Sequence, residues 1–483
     1  MTATIPDRLV VGLEGPWPTG FEAAWLVEHQ PAGVIIFPHN IIDYSHLRSL
    51  CAVLHELVDG LEICADHEGG PVSQLAAALG RPPAAWSLGL LDDTGLTARV
   101  CRETGRRLVS AGVDRVLAPV ADVLTEWRNP VIGARSFGSD PAVVSRQVVA
   151  AVTGYLESGA LVCLKHWPGH GGSLGDSHHV ETGTGLGMVP GPFADGLTAG
   201  ADAVMVGHLL RSAGNDKGRT VPASLDRGFL HESREELGAG NIEDLLFFAD
   251  DVTMGALGPA MEEAGVEVPA ALPSGLYDPA GLPRPWFERL AAAGCDRLLV
   301  RGIPARAFPL TDSARELPEP AAGGTEKADQ RGSCPYEEAR RRIWDVQGCG
   351  DFAPGDTGLL WLDLSRGDRW EAAAGSGDGA LEECRAVLDR RFDKVVTDSG
   401  SWPPDEPCCR LLVTSHRPLP GSFAADLANL AFLAKQGFCL AMGHPGLKRD
   451  LEGALGAGWR VGTLGDITAA DLFPGPADRG TKI

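Results

Sequence analysis

At 483 residues the chain is longer than a single hydrophobic core normally serves, so two domains are expected. Its 44% hydrophobic and 22% charged residues are those of an ordinary globular protein, which excludes a fibrous or disordered chain. A net charge of −22, with the 42 basic residues scattered rather than gathered into a stripe, argues against a nucleic-acid or anionic-membrane partner.

The first residues, Met1 to Leu13, lack the basic and apolar regions of a secretory signal, and no apolar stretch reaches the ~20 residues of a membrane span. A cytoplasmic protein is therefore expected. The eleven cysteines sit mostly within apolar runs (Cys51, Cys64, Cys163, Cys295, Cys439), which fits buried thiols in a reducing compartment better than a disulfide framework. Cys408 and Cys409 are adjacent and lack the C-x-x-C spacing of a zinc ribbon.

Short apolar runs bounded by turn residues recur eight times before residue 303. The expected strands are Leu9 to Glu14, Gly33 to Phe37, Leu61 to Asp66, Val113 to Val120, Leu161 to His166, Ala203 to His208, Leu245 to Asp250, and Arg297 to Arg301. Between the second and third, Asp43 to Asp59 keeps Leu47, Leu50, Val53, Leu54 and Leu57 on one face, as a crossover helix requires. Alternating β and α units imply a parallel sheet. Eight of them imply closure into a (β/α)8 barrel of the TIM type, where five or six would give an open doubly wound sheet.

Residues 1–303 are thus the expected barrel. Residues 304–355, rich in Pro, Gly, Ala and charge with a helical interlude at Glu337 to Val346, read as a linker. Residues 356–483 carry apolar strands at Leu359 to Leu364, Lys394 to Thr397, Leu411 to Ser415, Phe438 to Met442 and Trp459 to Leu464. Helices are expected near Ala380 to Phe392 and Phe423 to Gln436, giving a smaller α/β open-sheet domain. His416 and His444 each follow a strand there, but a loop histidine is more often solvated than catalytic.

Asp66, Asp122, Lys165, His166, His208 and Asp250 all fall at or just past the C-terminal ends of expected strands, the rim where barrel enzymes place their chemistry. Strands that merely end at the surface would account for one or two such residues, and the opposite, N-terminal ends read as comparatively bland. The most informative segment follows the fifth strand, from Lys165 to His179, with four histidines, a lysine and an aspartate among its glycines. A buried Lys165–His166 pair is costly unless it binds something polar. Asp176 and His178 stand two apart, so the carboxylate can orient the imidazole and raise its basicity, as a proton shuttle needs. The bland reading, a glycine-rich surface loop, fits this density of titratable groups poorly. A metal site built on His166 and His170 with Asp176 and His178 is the sharper rival. It is disfavoured because the first strand ends Gly12-Leu13-Glu14-Gly15 rather than in a His-x-His pair, and no cofactor is expected.

Lys165 to His178 resembles the K-H-[FW]-P-G-H-G-x(4)-D-S-H signature of glycoside hydrolase family 3, in its β-N-acetylhexosaminidase branch. Four further segments match in order. Asp66-His67-Glu68-Gly69-Gly70 resembles D-Q-E-G-G, and Ala118 to Val123 resembles A-P-V-x-D-V. Asn129 to Gly138 resembles N-P-x-I-G-x-R-S-F-G, and Phe248 to Met254 resembles F-S-D-D-L-x-M. The resemblance implies Asp250 as catalytic nucleophile and Asp176 with His178 as a dyad replacing the usual second carboxylate. It implies sugar-binding roles for Asp66, Arg135, Lys165 and His166; the rim positions of His208 and Asp122 add them to the expected substrate contacts. An imidazole with a pKa of about 6.5 can donate a proton near neutral pH without the burial a carboxylic acid would need.

Two departures stand out. Gly172-Ser173 replaces the usual Asp-Thr, and Gly70-Pro71-Val72-Ser73-Gln74-Leu75 replaces G-G-R-V-x-R-L, losing two arginines. Both leave the catalytic set intact and bear on leaving-group contacts. The expected activity is retaining exo-hydrolysis of terminal β-linked N-acetylglucosamine, or a related β-sugar, from small soluble conjugates through a covalent glycosyl-enzyme intermediate. Phosphorolysis, with phosphate as second-step nucleophile, and sugar binding without turnover are the alternatives. Strand alternation further predicts that Asp251 points away from the barrel mouth.

Overall fold

Eight short parallel strands close into a barrel in the computed structural model, neighbouring one another in the order in which they occur along the chain. They are β1 Leu9–Val11, β2 Gly33–Ile36, β3 Glu62–Ala65, β4 Arg115–Val116, β5 Leu161–Trp167, β6 Ala203–Val206, β7 Leu246–Ala249 and β8 Arg297–Val300. Seven lie within their expected runs, and β5 extends one residue past its own, to Trp167. The structure describes residues 4–129, 131–173, 182–183, 189–212, 220–237, 245–272 and 274–311, parts of 335–342, and five C-terminal strands.

Alternation along each strand divides the side chains into two sets. Val10, Ile35, Cys64, Leu117, Cys163, Met205, Phe248 and Leu299 fill the barrel interior, one from each strand or its immediate extension. Their neighbours Val11, Val34, Ile63, Val116, Val162, Val204, Phe247 and Leu298 face outward and pack under the helices. Burial of each such side chain contributes roughly 1.5–3 kcal/mol.

The crossovers carry α1 Gly20–His29, α2 Tyr44–Leu57, α3 Thr94–Ala111, α4 Pro141–Glu157, α5 Gly191–Thr198, α6 Arg227–Leu237 and α7 Arg284–Ala293. Local sequence sets several starts. Thr19 and Glu22 form a reciprocal capping box on α1, while Asp43, Asp93 and Asp140 each accept a backbone N–H at the start of α2, α3 and α4. The free thiols Cys51, Cys64, Cys101, Cys163 and Cys295 are all buried.

The N-terminal end of the barrel is not bland, contrary to the sequence reading. Arg115 is 1% exposed and donates to both Glu62 oxygens, at 2.8 and 3.1 Å, and to both Asp202 oxygens, at 2.6 and 2.9 Å. Three charges far apart in sequence thus close the floor as one satisfied cluster, which single-strand patterning does not reveal.

In the segment read as a linker, Tyr336 is buried and its hydroxyl lies 2.7 Å from Thr104 Oγ1 of α3. Arg99 pairs with Glu338 at 2.8 Å and Arg342 with Asp93 at 2.5 Å. Tyr336, Glu338 and Arg342 therefore lie against α3 and its N-cap. Beyond it, β9 Leu359–Asp363, β10 Val395–Val396, β11 Arg410–Ser415, β12 Gly437–Gly443 and β13 Trp459–Leu464 form a parallel sheet in the order β10-β9-β11-β12-β13. All five fall on the expected apolar runs. His416, His444 and the two expected helices lie outside the described residues.

Candidate active site

Inward parity continues one residue past several strands, and there the side chains become polar. Asp66 after β3, Lys165 on β5, Asp250 after β7 and Arg301 after β8 occupy such positions, with Phe37 the aromatic equivalent after β2. They converge at the C-terminal mouth on an open cavity, also lined by Glu68, Arg135, His166, His170 and Asp251, with Ile35, Met205 and Leu299 as apolar lining from the barrel interior.

One side of the cavity is a charged network. Lys165 Nζ lies 2.5 Å from Asp66 Oδ1 and 2.5 Å from Glu68 Oε1. Arg135 donates through Nε to Glu68 Oε2 and through Nη2 to Oε1, both at 2.9 Å. Burial alone would push Glu68 up, but Arg135 and Lys165 outweigh it and hold the carboxyl at about 2. Burial would likewise depress Lys165, and Asp66 and Glu68 reverse that and raise it. Every permanent charge here has a partner, which makes its burial tolerable.

His166 is fixed from both sides. Arg135 Nη2 lies 3.1 Å from Nε2, and Asp122 Oδ2 lies 2.8 Å from Nδ1. A guanidinium only donates, so Nε2 accepts and Nδ1 carries the proton towards Asp122. Both ring nitrogens are thereby engaged, which counts against His166 as a metal ligand. Asp122 also accepts the backbone N–H of His166 at 3.1 Å and of His170 at 2.7 Å. Burial would raise Asp122, but His166 and His170 keep it below the ordinary carboxylate range.

The chain after β5 approaches its neighbour closely. A Cβ on Gly171 would stand 2.0 Å from the Val123 carbonyl oxygen, so only glycine fits there. Asn129 Nδ2 donates to the carbonyls of His170 at 2.7 Å and Ser173 at 3.0 Å, while its Oδ1 accepts the N–H of Val131 and Ile132. Ser173, one of the departures, places its hydroxyl 2.8 Å from His170 Nδ1. Burial and the neighbouring His166 pull His170 down to about 4.

Across the mouth, Asp250 is half-buried and its Oδ1 accepts the N–H of Asp251 at 2.8 Å. Asp251 is 3% exposed; its Oδ1 receives the Thr253 N–H at 3.0 Å and hydroxyl at 2.7 Å, and its Oδ2 pairs with Arg301.

The structure brings Asp66, Arg135, Lys165, His166 and Asp250 together as expected positions around one cavity. Three expectations are corrected. Asp122 is 0% exposed and stands behind His166 instead of lining the cavity. His208, also 0% exposed, is engaged by Ser224 Oγ at 2.7 Å and the Asp251 carbonyl at 3.1 Å, so it props the Asp251 backbone and does not face the mouth. Asp251 lines the same cavity as Asp250, because β7 ends at Ala249 and strand alternation no longer governs the pair. Asp176 and His178 lie outside the described residues. Glu68 and Arg301 join the lining without having been picked out, and His170, weighed only as a metal ligand, lines it as well; for Arg301 the parity of Leu299 was the available signal.

A parallel barrel with a carboxylate-rich cavity at its C-terminal mouth has the architecture of a barrel enzyme, and paired carboxylates there suit glycoside chemistry. Residues 12–277, more than half of the chain, match the glycosyl hydrolase family 3 N-terminal domain. The chain belongs to glycosyl hydrolase family 3. A beta-hexosaminidase of Xylella fastidiosa is 34% identical over 217 residues, 42% of this chain and 64% of that protein. One from Neisseria meningitidis is 34% identical over 250 residues, 48% of this chain and 66% of that protein. The matches thus span just under two thirds of these relatives' lengths. A glycoside hydrolase family 3 beta-N-acetylglucosaminidase from Paenibacillus shares the fold with a TM-score of 0.72 at 19% identity, over 97% of this chain and 94% of that one.

Proposed function

We propose that this protein is a retaining exo-glycosidase that removes terminal β-linked N-acetylglucosamine, or a related β-sugar, from small soluble conjugates. The observation that carries the reading is Asp250 at the barrel mouth, facing the Asp66, Glu68, Arg135, Lys165 and His166 network across one cavity. That network offers donors and acceptors in fixed positions for sugar hydroxyls, and the apolar lining suits the ring. The Asp250 carboxylate attacks the anomeric carbon as the bond to the leaving oxygen breaks, giving a glycosyl ester; water then cleaves the ester and returns the carboxylate. His178, oriented by Asp176, gives its proton to the leaving oxygen and takes one from the incoming water.

Asp122 holds the His166 tautomer, and His208 supports the backbone beside the nucleophile. The name beta-hexosaminidase, carried by the relatives, supports an amino-sugar substrate and hydrolysis over phosphorolysis. Residues 1–303 as catalytic barrel, 304–355 as linker and 356–483 as a second α/β domain complete the proposed organisation.

The test is a panel of aryl β-glycosides with and without the 2-acetamido group, assayed with and without phosphate. Phenol release that is fastest on the 2-acetamido substrate, without sugar phosphate, is expected. Binding without phenol release would leave a sugar-binding protein.

A further inference from the structure

Arg301 has no part in the chemistry above, yet it lines the same cavity one strand from the nucleophile. We propose that Arg301 reads the substituent on the sugar carbon next to the anomeric centre, donating to a neutral acceptor oxygen such as an amide carbonyl. The inference rests on the glycosidase reading and adds the residue that sets its sugar specificity.

Two contacts hold the guanidinium in place. Its Nε pairs with Asp251 Oδ2, and its Cζ lies 5.5 Å from the centre of the Phe37 ring. Its backbone is pinned by β1: the Gly12 N–H donates to the Val300 carbonyl at 2.8 Å, and a Cβ on Gly12 would stand 2.3 Å from the Arg301 carbonyl oxygen. A planar donor fixed in this way loses little freedom on binding.

The ring order sets which part of a sugar it meets. The Asp66–Lys165–Arg135 network arises from β3 to β5, and the barrel order puts β7 and β8 across the mouth from it. A pyranose held through its far hydroxyls by that network, with its anomeric carbon at Asp250, turns the adjoining carbon towards β6 or β8. Among the described residues, β6 lines the cavity with Met205 alone, which is apolar, whereas the β8 side presents Arg301. A polar substituent belongs on the β8 side.

Charge decides its class. Among the described residues, four carboxylates (Asp66, Glu68, Asp250, Asp251) line the cavity against three permanent cations (Arg135, Lys165, Arg301). This balance gives no surplus positive charge for an anionic group, so a neutral acceptor fits.

The test uses the full chain with Arg301→Met and Arg301→Lys. kcat/KM is measured on nitrophenyl β-glycosides bearing 2-acetamido, 2-hydroxy or no 2-substituent. Binding of N-acetylglucosamine and 2-deoxyglucose to Asp250→Asn protein, with and without Arg301→Met, is measured calorimetrically. The preference for the 2-acetamido over the 2-deoxy substrate is expected to fall by about tenfold to a hundredfold in Arg301→Met, the scale of a lost charged hydrogen bond, with partial return in Arg301→Lys. Affinity for N-acetylglucosamine falls with it and that for 2-deoxyglucose does not. Equal losses on every substrate, matched by Asp251→Asn, would make Arg301 a prop for Asp251 and overturn the proposal. If wild-type protein releases no phenol, the glycosidase reading fails, while a selective loss of N-acetylglucosamine binding still supports the role of Arg301.

Discussion

Glu68 and Arg135 meet through two parallel N–H···O bonds of 2.9 Å, with side chains 3% and 4% exposed. Removing the carboxylate takes from buried Arg135 its carboxylate partner and leaves Lys165 only Asp66 of its two. Glu68→Ala is expected to destabilise the fold by about 3–5 kcal/mol, read from urea unfolding at neutral pH. The sign with pH follows from the depressed carboxyl. Its contribution is full above the ordinary glutamate range and is lost as pH falls from about 4.5 towards about 2. The wild-type protein should therefore lose stability over that window more steeply than Glu68→Gln.

Buried histidines act over a higher window. Burial holds His67 at about 3, with Arg81 adding to the effect, and burial with His166 holds His170 at about 4. Both stay neutral in the fold while the unfolded chain takes up protons below about 6.5, so stability falls as pH drops from there towards 4. Replacing His170 by Gln should remove roughly one proton's worth of slope, about 1.4 kcal/mol per pH unit. Unfolding midpoints at pH 7, 6 and 5 check it; an unchanged slope would mean His170 is charged in the fold.

The barrel was legible because each strand is buried on both faces and reads as an unbroken apolar run, as at Val34-Ile35-Ile36. Asp66, Lys165 and Asp250 were legible because they interrupt such runs at their ends. Asp122 and His208 sit at comparable positions, but the loops that bury them come from elsewhere in the chain, and burial by distant segments leaves no local mark. Asp251 was misread because alternation was carried past the last paired residue, Ala249.

Asn129 joins both ends of that lesson, a polar loop residue whose partners lie 41 and 44 positions away. Asn129→Ala leaves two carbonyls and two backbone N–H groups without their present partner. A loss of about 2–4 kcal/mol is expected. Asn129→Asp, whose second carboxylate oxygen would face the His170 and Ser173 carbonyls with no proton to donate, should unfold at neutral pH no later than Asn129→Ala.

His178→Ala should lose far more activity on alkyl glycosides than on nitrophenyl glycosides, whose departure needs little protonation. Asp176→Ala should show the same pattern more mildly, since it acts through the imidazole. Equal losses on both leaving groups, with glycosylation rate-limiting, would remove His178 from the role of proton donor.

The central claim is the covalent role of Asp250, and the most direct measurement is the mass of the protein quenched during turnover of an activated 2-acetamido β-glycoside whose ester intermediate accumulates. The account predicts a gain of one glycosyl residue, mapped by peptide fragmentation to Asp250 and absent from Asp250→Ala. A label on Asp251, or rapid turnover by Asp250→Ala, would contradict it.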